Sequence, residues 1–390
     1  MGIEENQKPG KVDRNLLVIF SITLMAVLGI SSITPAFPKV VERFNIPPAY
    51  VGFLITFFTF PGIILAPFMG ILADRFGRKK IITPSLFLFA LTGTMCAFSN
   101  DYNMLLILRL FQGIGASALG SLNVTLIGDI YQGKRRTAAM GYNASVLSIG
   151  TASYPSIGGA LALFGWNYPF LLPLLAIPVG LAVIFLLENP EPEKEGTIRE
   201  YLKNVLKSLN DRKLVSLFFA GLITFIILFG SYLSYFPIFL SKSFKVSTLI
   251  IGLIMSCMSL TTAITSSQLG KISQRIEEKN IIKYAFIVYG IALFLIPLIK
   301  DIKLMLIPVI IFGVAHGVSI PSIQTLIAGL APLDQRAAFM SVNGMILRTG
   351  QTIGPIIMGG IFDFIGLNWV FFAGFLFSIF TSFILILFMR

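Results

Sequence analysis

Few residues in this sequence have the chemistry to act on anything, and several sit in unexpected places. Arg109, Arg348 and His316, the single histidine of 390 residues, interrupt long apolar runs. An arginine near the centre of a membrane span costs on the order of 2.5 to 3.5 kcal/mol, so each must face a partner or a water-filled cavity. His316 can titrate near neutral pH and carry protons, or it can be a packed polar residue. Gln351 and Thr352 share the helical face of Arg348. Asn123, Tyr142, Asn143, Tyr232, Tyr235, Gln324 and Asn343 are further polar groups within apolar runs, each able to line a cavity or to bond a neighbouring helix. Asp129 and Asp363 fall toward helix ends, leaving no carboxylate at mid-membrane. No metal-ligand cluster, nucleotide-binding loop or nucleophile triad occurs, so an enzyme, an ATP-driven pump, a metal site and a cofactor have no support.

The elements that must hold these residues are membrane spans. The chain is 55% hydrophobic and only 12% charged, where soluble domains carry about 25% charge. Apolar runs long enough to cross a bilayer as helices fall at 15–38, 49–72, 81–98, 104–128, 137–163, 166–187, 214–240, 247–270, 281–299, 303–330, 337–361 and 367–389. The first is too long for a signal peptide and reads as a retained span. The net charge of +12 could suggest nucleic acid, but its placement is topological. With the N-terminus cytoplasmic, only Lys39, Arg43, Lys242, Lys245, Lys300 and Lys303 fall outside, and Arg109 and Arg348 fall within spans. That is the positive-inside rule, and it places both termini in the cytoplasm of a cell-membrane protein.

The chain repeats itself at an offset of two hundred residues. Gly52, Gly70, Arg75, Gly113, Asn143, Gly150, Pro155 and Gly159 recur as Gly252, Gly270, Arg275, Gly313, Asn343, Gly350, Pro355 and Gly359. Two pseudo-symmetric six-helix bundles, 1–187 and 214–390, are expected, with a substrate site between them near the midplane. The linker 188–213 carries Thr197 and Glu200 as a capping box, followed by one apolar face, which predicts an amphipathic helix on the cytoplasmic surface.

Three motifs give the pattern a family likeness. Gly70-Ile-Leu-Ala-Asp74-Arg75-Phe-Gly77-Arg78-Lys79-Lys80 is a charged, glycine-bracketed turn between the second and third spans. Arg109-Leu-Phe-Gln112-Gly113-Ile-Gly115 lies in the fourth. Gly141, Gly150, Tyr154-Pro155 and Gly158-Gly159 lie in the fifth, and the eleventh carries the fuller Gly350, Gly354-Pro355, Gly359-Gly360. Together they resemble the major facilitator superfamily, within it the twelve-helix drug:proton antiporter group. The resemblance implies an all-α membrane protein and a monomer that moves a small-molecule substrate by alternating access, with protons as coupling ion. It implies that Asp74 sits against the N-terminus of the eleventh helix near Ala337, and that Arg78 pairs with Asp129, latching the cytoplasmic side in the outward-facing state. It also implies a coupling role for the Arg109 segment. In the second half the latch loop has lost its acid and its glycine, replaced by Gln274 and Glu277, so the latch is expected chiefly in the first half. Tyr154 replaces the glycine that precedes the proline in the antiporter signature.

The first span holds no acid, whereas several multidrug members of that family use one there. With two arginines in the spans the cavity should be positive, favouring neutral, amphipathic or anionic substrates over lipophilic cations. The expected function is proton-coupled export of drug-like or amphipathic molecules. The alternatives are a metabolite or organic-anion carrier, a lipid or glycolipid flippase, and a non-transporting receptor.

Overall fold

The computed structural model describes residues 12–188, 211–330 and 336–389, so the predicted linker helix lies outside the described residues. Twelve helical passes run through them: α1 (Arg14–Phe44), α2 (48–76), α3 (Arg78–Phe98), α4 (Tyr102–Ile130), α5 (Gly133–Phe164), α6 (Tyr168–Leu186), α7 (Arg212–Phe244), α8 (Thr248–Ser273), α9 (Glu278–Leu298), α10 (Leu306–Leu330), α11 (Arg336–Ile365) and α12 (Leu367–Phe388). All but α11, which carries Arg348, are long and apolar enough on their own to cross a membrane. An even number of passes puts both ends of the described chain at one end of the bundle.

Local chemistry sets where these helices begin and turn. Asp13 caps α1 by accepting from Leu16 N at 2.8 Å, and Asp101 caps α4 by accepting from Met104 N at 2.9 Å; each satisfies an amide that the helix leaves unpaired. The repeat is visible in the backbone. Asn45 and Lys245, two hundred residues apart, end α1 and α7 in the left-handed conformation at φ 48° and 52°. The α2–α3 turn does not repeat: Gly77 takes φ 97°, open only to glycine, while Glu277 at its equivalent position sits at −59°. The sequence change from glycine to glutamate is thus a change of turn.

Helices α1–α6 and α7–α12 form two halves that meet along two seams, α5 with α8 and α2 with α11. Both seams rest on glycines, the first backbone on backbone and the second with the Tyr235 side chain set into it. A Cβ on Gly252 would overlap the Pro155 carbonyl, and one on Gly159 the Thr248 carbonyl. In the other seam a Cβ on Gly52 would lie 2.9 Å from Pro355 Cβ, and one on Gly359 2.9 Å from the Ala49 carbonyl. Tyr235 closes this seam, its hydroxyl 2.6 Å from the Ala49 carbonyl and 3.0 Å from that of Pro355. Gly150 and Gly158 instead seat α5 on α1 within one half, and Gly350 and Gly354 seat α11 on α7.

All these seam contacts lie toward the end opposite the chain termini. There a single apolar core joins the halves, with Ile33, Phe37, Val40 and Val51 packed in one cluster with Tyr235, Phe236 and Phe239. At the termini end the first half has its own core around Leu16, Ile82 and Leu126, while the joint cluster continues only within the second half, through Leu214, Ile327 and Leu385. Gly70, Gly141, Gly270 and Gly344, all toward that end, have no described atom of another element within 4 Å of where a Cβ would stand. Among the described residues the two halves are therefore sealed at one end and apart at the other.

A methyl group at Gly252 has only rigid backbone to displace, so Gly252→Ala should destabilise the sealed arrangement by about 1–3 kcal/mol. In a chain lacking Cys96 and Cys257, a cysteine in place of the buried Ala49 should become reactive to a membrane-impermeant maleimide when Gly252→Ala is added. Unchanged labelling would show that the seam does not hold that end shut.

Candidate functional site: the cavity between the halves

The site is built around what the buried polar groups do with their hydrogen bonds. Gly113 lets α2 approach α4 so closely that a Cβ there would overlap the Phe58 carbonyl. That approach brings the Leu54 carbonyl within 3.1 Å of Arg109 Nε. Arg109 Nη1 donates to the Gly29 carbonyl at 2.9 Å and to Gln112 Oε1 at 2.6 Å. Arg109 is fully buried, and its guanidinium lies 4.2 Å from the centre of the Phe58 ring, a cation–π contact strengthened by exclusion of water. Arg109 thus ties α1, α2 and α4 into one body. At the repeat position the second half carries buried Val309.

On the far face of Phe58 lies a cavity of about 600 Å³ lined by both halves. Of the polar residues expected there, the structure brings Asn123, Asn143, His316, Arg348, Gln351 and Tyr232 to its wall. Arg109 and Gln112 do not reach it; the expectation that they line the cavity is corrected, because carbonyls and a phenylalanine ring hold them one layer behind it. Tyr235 is committed to the seam. Tyr142 is 41% exposed toward the open end, and Asn343 is buried with its Oδ1 unpartnered. Neither they nor Gln324 contribute to the wall.

Sequence reasoning missed Thr23, whose hydroxyl accepts from Asn123 Nδ2 at 2.8 Å and donates to Asn143 Oδ1 at 2.5 Å, joining α1, α4 and α5. Nothing in the local pattern distinguishes Thr23 from the other hydroxyls of α1. His316 is not alone either: its Nδ1 is 2.6 Å from the Tyr289 hydroxyl, itself 3.1 Å from Ser319 Oγ. Tyr232 sits in a nine-residue π-helical stretch, Ile227–Tyr235, a local geometry frequent at functional sites. Its ring is stacked between Phe236 and Phe312 at 4.9 and 5.0 Å, and its hydroxyl has no partner. No Asp, Glu or Lys is on the described wall, so Arg348 is its one charged residue.

At the open end, Arg78 pairs with Asp129 across α3 and α4 and with Asp74 at 3.1 Å. Lys79 donates to the Leu187 carbonyl at 3.3 Å. Asp74 lies beyond the apolar window of α2; burial raises its carboxyl pKa, with Arg78 beside it opposing. This ion pair is within one half. Nearby, Asp13 holds Arg135 at 2.5 Å and the Tyr131 hydroxyl at 2.5 Å; burial and then that hydrogen bond push the phenol well above its ordinary range.

Comparison with known proteins agrees with this architecture. The family described as Major Facilitator Superfamily matches residues 19–302 and 221–390. Multidrug resistance protein 2 of Bacillus subtilis (strain 168) is 26% identical over 367 residues, covering 92% of this chain and 91% of that protein. The Bacillibactin exporter of the same organism is 26% identical, covering 96% of each. A crystal structure of a variant of the nucleoside transporter NupG superposes with a TM-score of 0.85 at 14% identity, over 97% of this chain and 100% of that one.

The two arginines within the spans should respond differently to truncation. Arg109→Ala removes the donors from two buried carbonyls and from Gln112, each unmet group costing about 1–3 kcal/mol, and should lower the melting temperature of purified protein by many degrees. Arg348→Ala strands no protein acceptor and should change it little. Size-exclusion thermostability profiles of the two variants check this, and equal behaviour would contradict the structural role given to Arg109.

Proposed function

The chain belongs to the major facilitator superfamily, and on that premise we propose that it is a proton-coupled secondary transporter exporting amphipathic, drug-like small molecules by alternating access. The observation that carries this reading is an interfacial cavity sealed at one end by glycine seams and unsealed at the other. Such a cavity loads from one side only. In a cell membrane with both termini cytoplasmic, as the distribution of basic residues favours, the unsealed end faces the cytoplasm and the structure is the inward-facing, loading state. Relatives named for multidrug resistance and for export support the direction.

In this reading the substrate enters past the Asp74–Arg78–Asp129 cluster and settles among Phe58, Phe225, Phe229, Met255 and Met258 of the wall. The halves then rock about the cavity, the seams part, and the α2–α3 turn docks toward α11 to close the cytoplasmic side. A monomer suffices, since the cavity is complete within one chain.

Among the described wall residues, His316 carries the one side chain whose unperturbed ionisation lies near neutral pH. Its bond to Tyr289 and onward to Ser319 offers a proton a relay away from the cavity. We assign the coupling proton to it. The lone cation Arg348 favours a second reading, an organic-anion or lipid carrier using the same cycle.

In proteoliposomes, uptake of a fluorescent amphipath should saturate and rise several-fold when a pH gradient is imposed. His316→Gln should abolish the response to the gradient and leave substrate binding within about twofold. Transport indifferent to the gradient in the native protein would refute proton coupling, and gradient-driven transport by the variant would refute the role of His316.

A further inference from the structure

We propose that the central cavity takes its cargo by an anionic group, with the Arg348 guanidinium as anchor, so that the substrate class is amphipathic organic anions; this rests on the transporter reading above. Three observations converge on it. The first is the contrast between the two arginines. Arg109 gives its Nε and Nη1 donors to two protein carbonyls and to Gln112, and only its Nη2 is left unpartnered. Arg348, on the cavity wall, has no side-chain hydrogen bond or ion pair among the described residues, and no carboxylate shares that wall. A cation placed in the low-dielectric interior without a partner is expensive unless something supplies the counter-charge.

The second observation is that the fold makes room for this guanidinium. Arg348 belongs to α11, but its Nη1 lies 2.5 Å from where a Cβ on Gly62 of α2 would stand, and its Nη2 lies 3.5 Å from the corresponding point on Gly120 of α4. The cation therefore reaches across the interface into a notch that two glycines leave in the opposite half. The third is the rest of the wall, where Phe58, Phe225, Phe229, Met255 and Met258 offer apolar and polarisable surface. An acidic head on an apolar body fits such a cavity, and a carboxylate or sulfonate oxygen accepts strong charge-assisted bonds from a guanidinium.

The consequence reaches the transport cycle. Closing the open end around a bare guanidinium would strip its water without compensation, whereas closing around a guanidinium–anion pair would not. The anion thereby licenses occlusion.

The test uses matched probes differing only in charge, 11-(dansylamino)undecanoic acid and its methyl ester, with purified full chain in phosphatidylcholine nanodiscs. The native protein should bind the acid at least about tenfold more tightly than the ester. Arg348→Gln should erase that preference while ester binding persists, and Arg348→Lys should keep part of it. Gly62→Ala offers an independent check from the opposite half: its methyl displaces only the flexible guanidinium tip, and should weaken acid binding several-fold with the ester unaffected. Acid bound no more tightly than ester by the native protein, or a preference surviving Arg348→Gln, would overturn the proposal. Saturable ester transport in either case would leave the transporter reading standing. If phosphatidylglycerol added to the nanodiscs competes with the acid in the native protein but not in Arg348→Gln, the anion can come from a lipid headgroup as well as from a free molecule.

Discussion

Everything in this structure depends on two places where a glycine lets helices of the two halves touch. In each seam a glycine of one half meets a proline segment of the other, Gly252 with Pro155 and Gly52 with Pro355, and the pairs are related by the two-hundred-residue repeat. Small residues allow such contact, and dispersion between well-packed atoms falls away steeply with separation. A seam of this kind has little tolerance for intermediate distances. Polar pairs flank both: Ser156 and Ser256 Oγ atoms are 2.6 Å apart, and Thr56 Oγ1 donates to the Thr352 carbonyl at 2.9 Å. The interface is thereby suited to two discrete arrangements, as rocking of two rigid halves requires.

Rigidity of the halves is the complementary condition, and they achieve it differently. The first is tied by Arg109 and by the Thr23–Asn123–Asn143 bonds, both polar and internal. The second packs Val309 where the first has Arg109, and its hydroxyls hold carbonyls across α8 and α10, Thr262 to Gly313 at 3.2 Å and Ser266 to Gly317 at 2.8 Å. The two repeats have thus diverged in how they are tied, and the titratable His316 and the π-helical Tyr232 lie in the second.

Much of the fold was legible in the sequence because the bilayer imposes length. The span limits, the repeat and the special turn at Gly77 all follow from hydrocarbon thickness and backbone sterics. The faces of the helices were not legible. In a soluble helix the apolar stripe points inward, but a membrane helix is apolar toward lipid and toward its neighbours alike, so periodicity does not say which side meets a cavity. That is why Arg109 and Arg348, alike in sequence as lone cations in apolar runs, turn out to be a structural tie and a cavity group. Tyr232 and Tyr235, three residues apart, likewise divide between cavity and seam. The partner of His316 was hidden for another reason: Tyr289 lies on a different helix, and only tertiary packing brings them together.

The cavity and the seam meet on α11, and their proximity suggests how loading is felt at the interface. Thr352 Oγ1 donates to the Arg348 carbonyl at 3.0 Å, and the same hydroxyl lies 2.9 Å from Thr59 Oγ1 of α2. One turn of helix therefore carries both the cation that faces the cavity and the group that bridges to the other half. Thr59 itself lines the cavity, so a molecule seated there touches both sides of the α2–α11 seam. A ligand shifts an equilibrium only by as much as its interactions differ between the two states. Arg348 and Thr59 are placed where that difference would be large, because parting or rejoining the seam one turn away alters the distance between them.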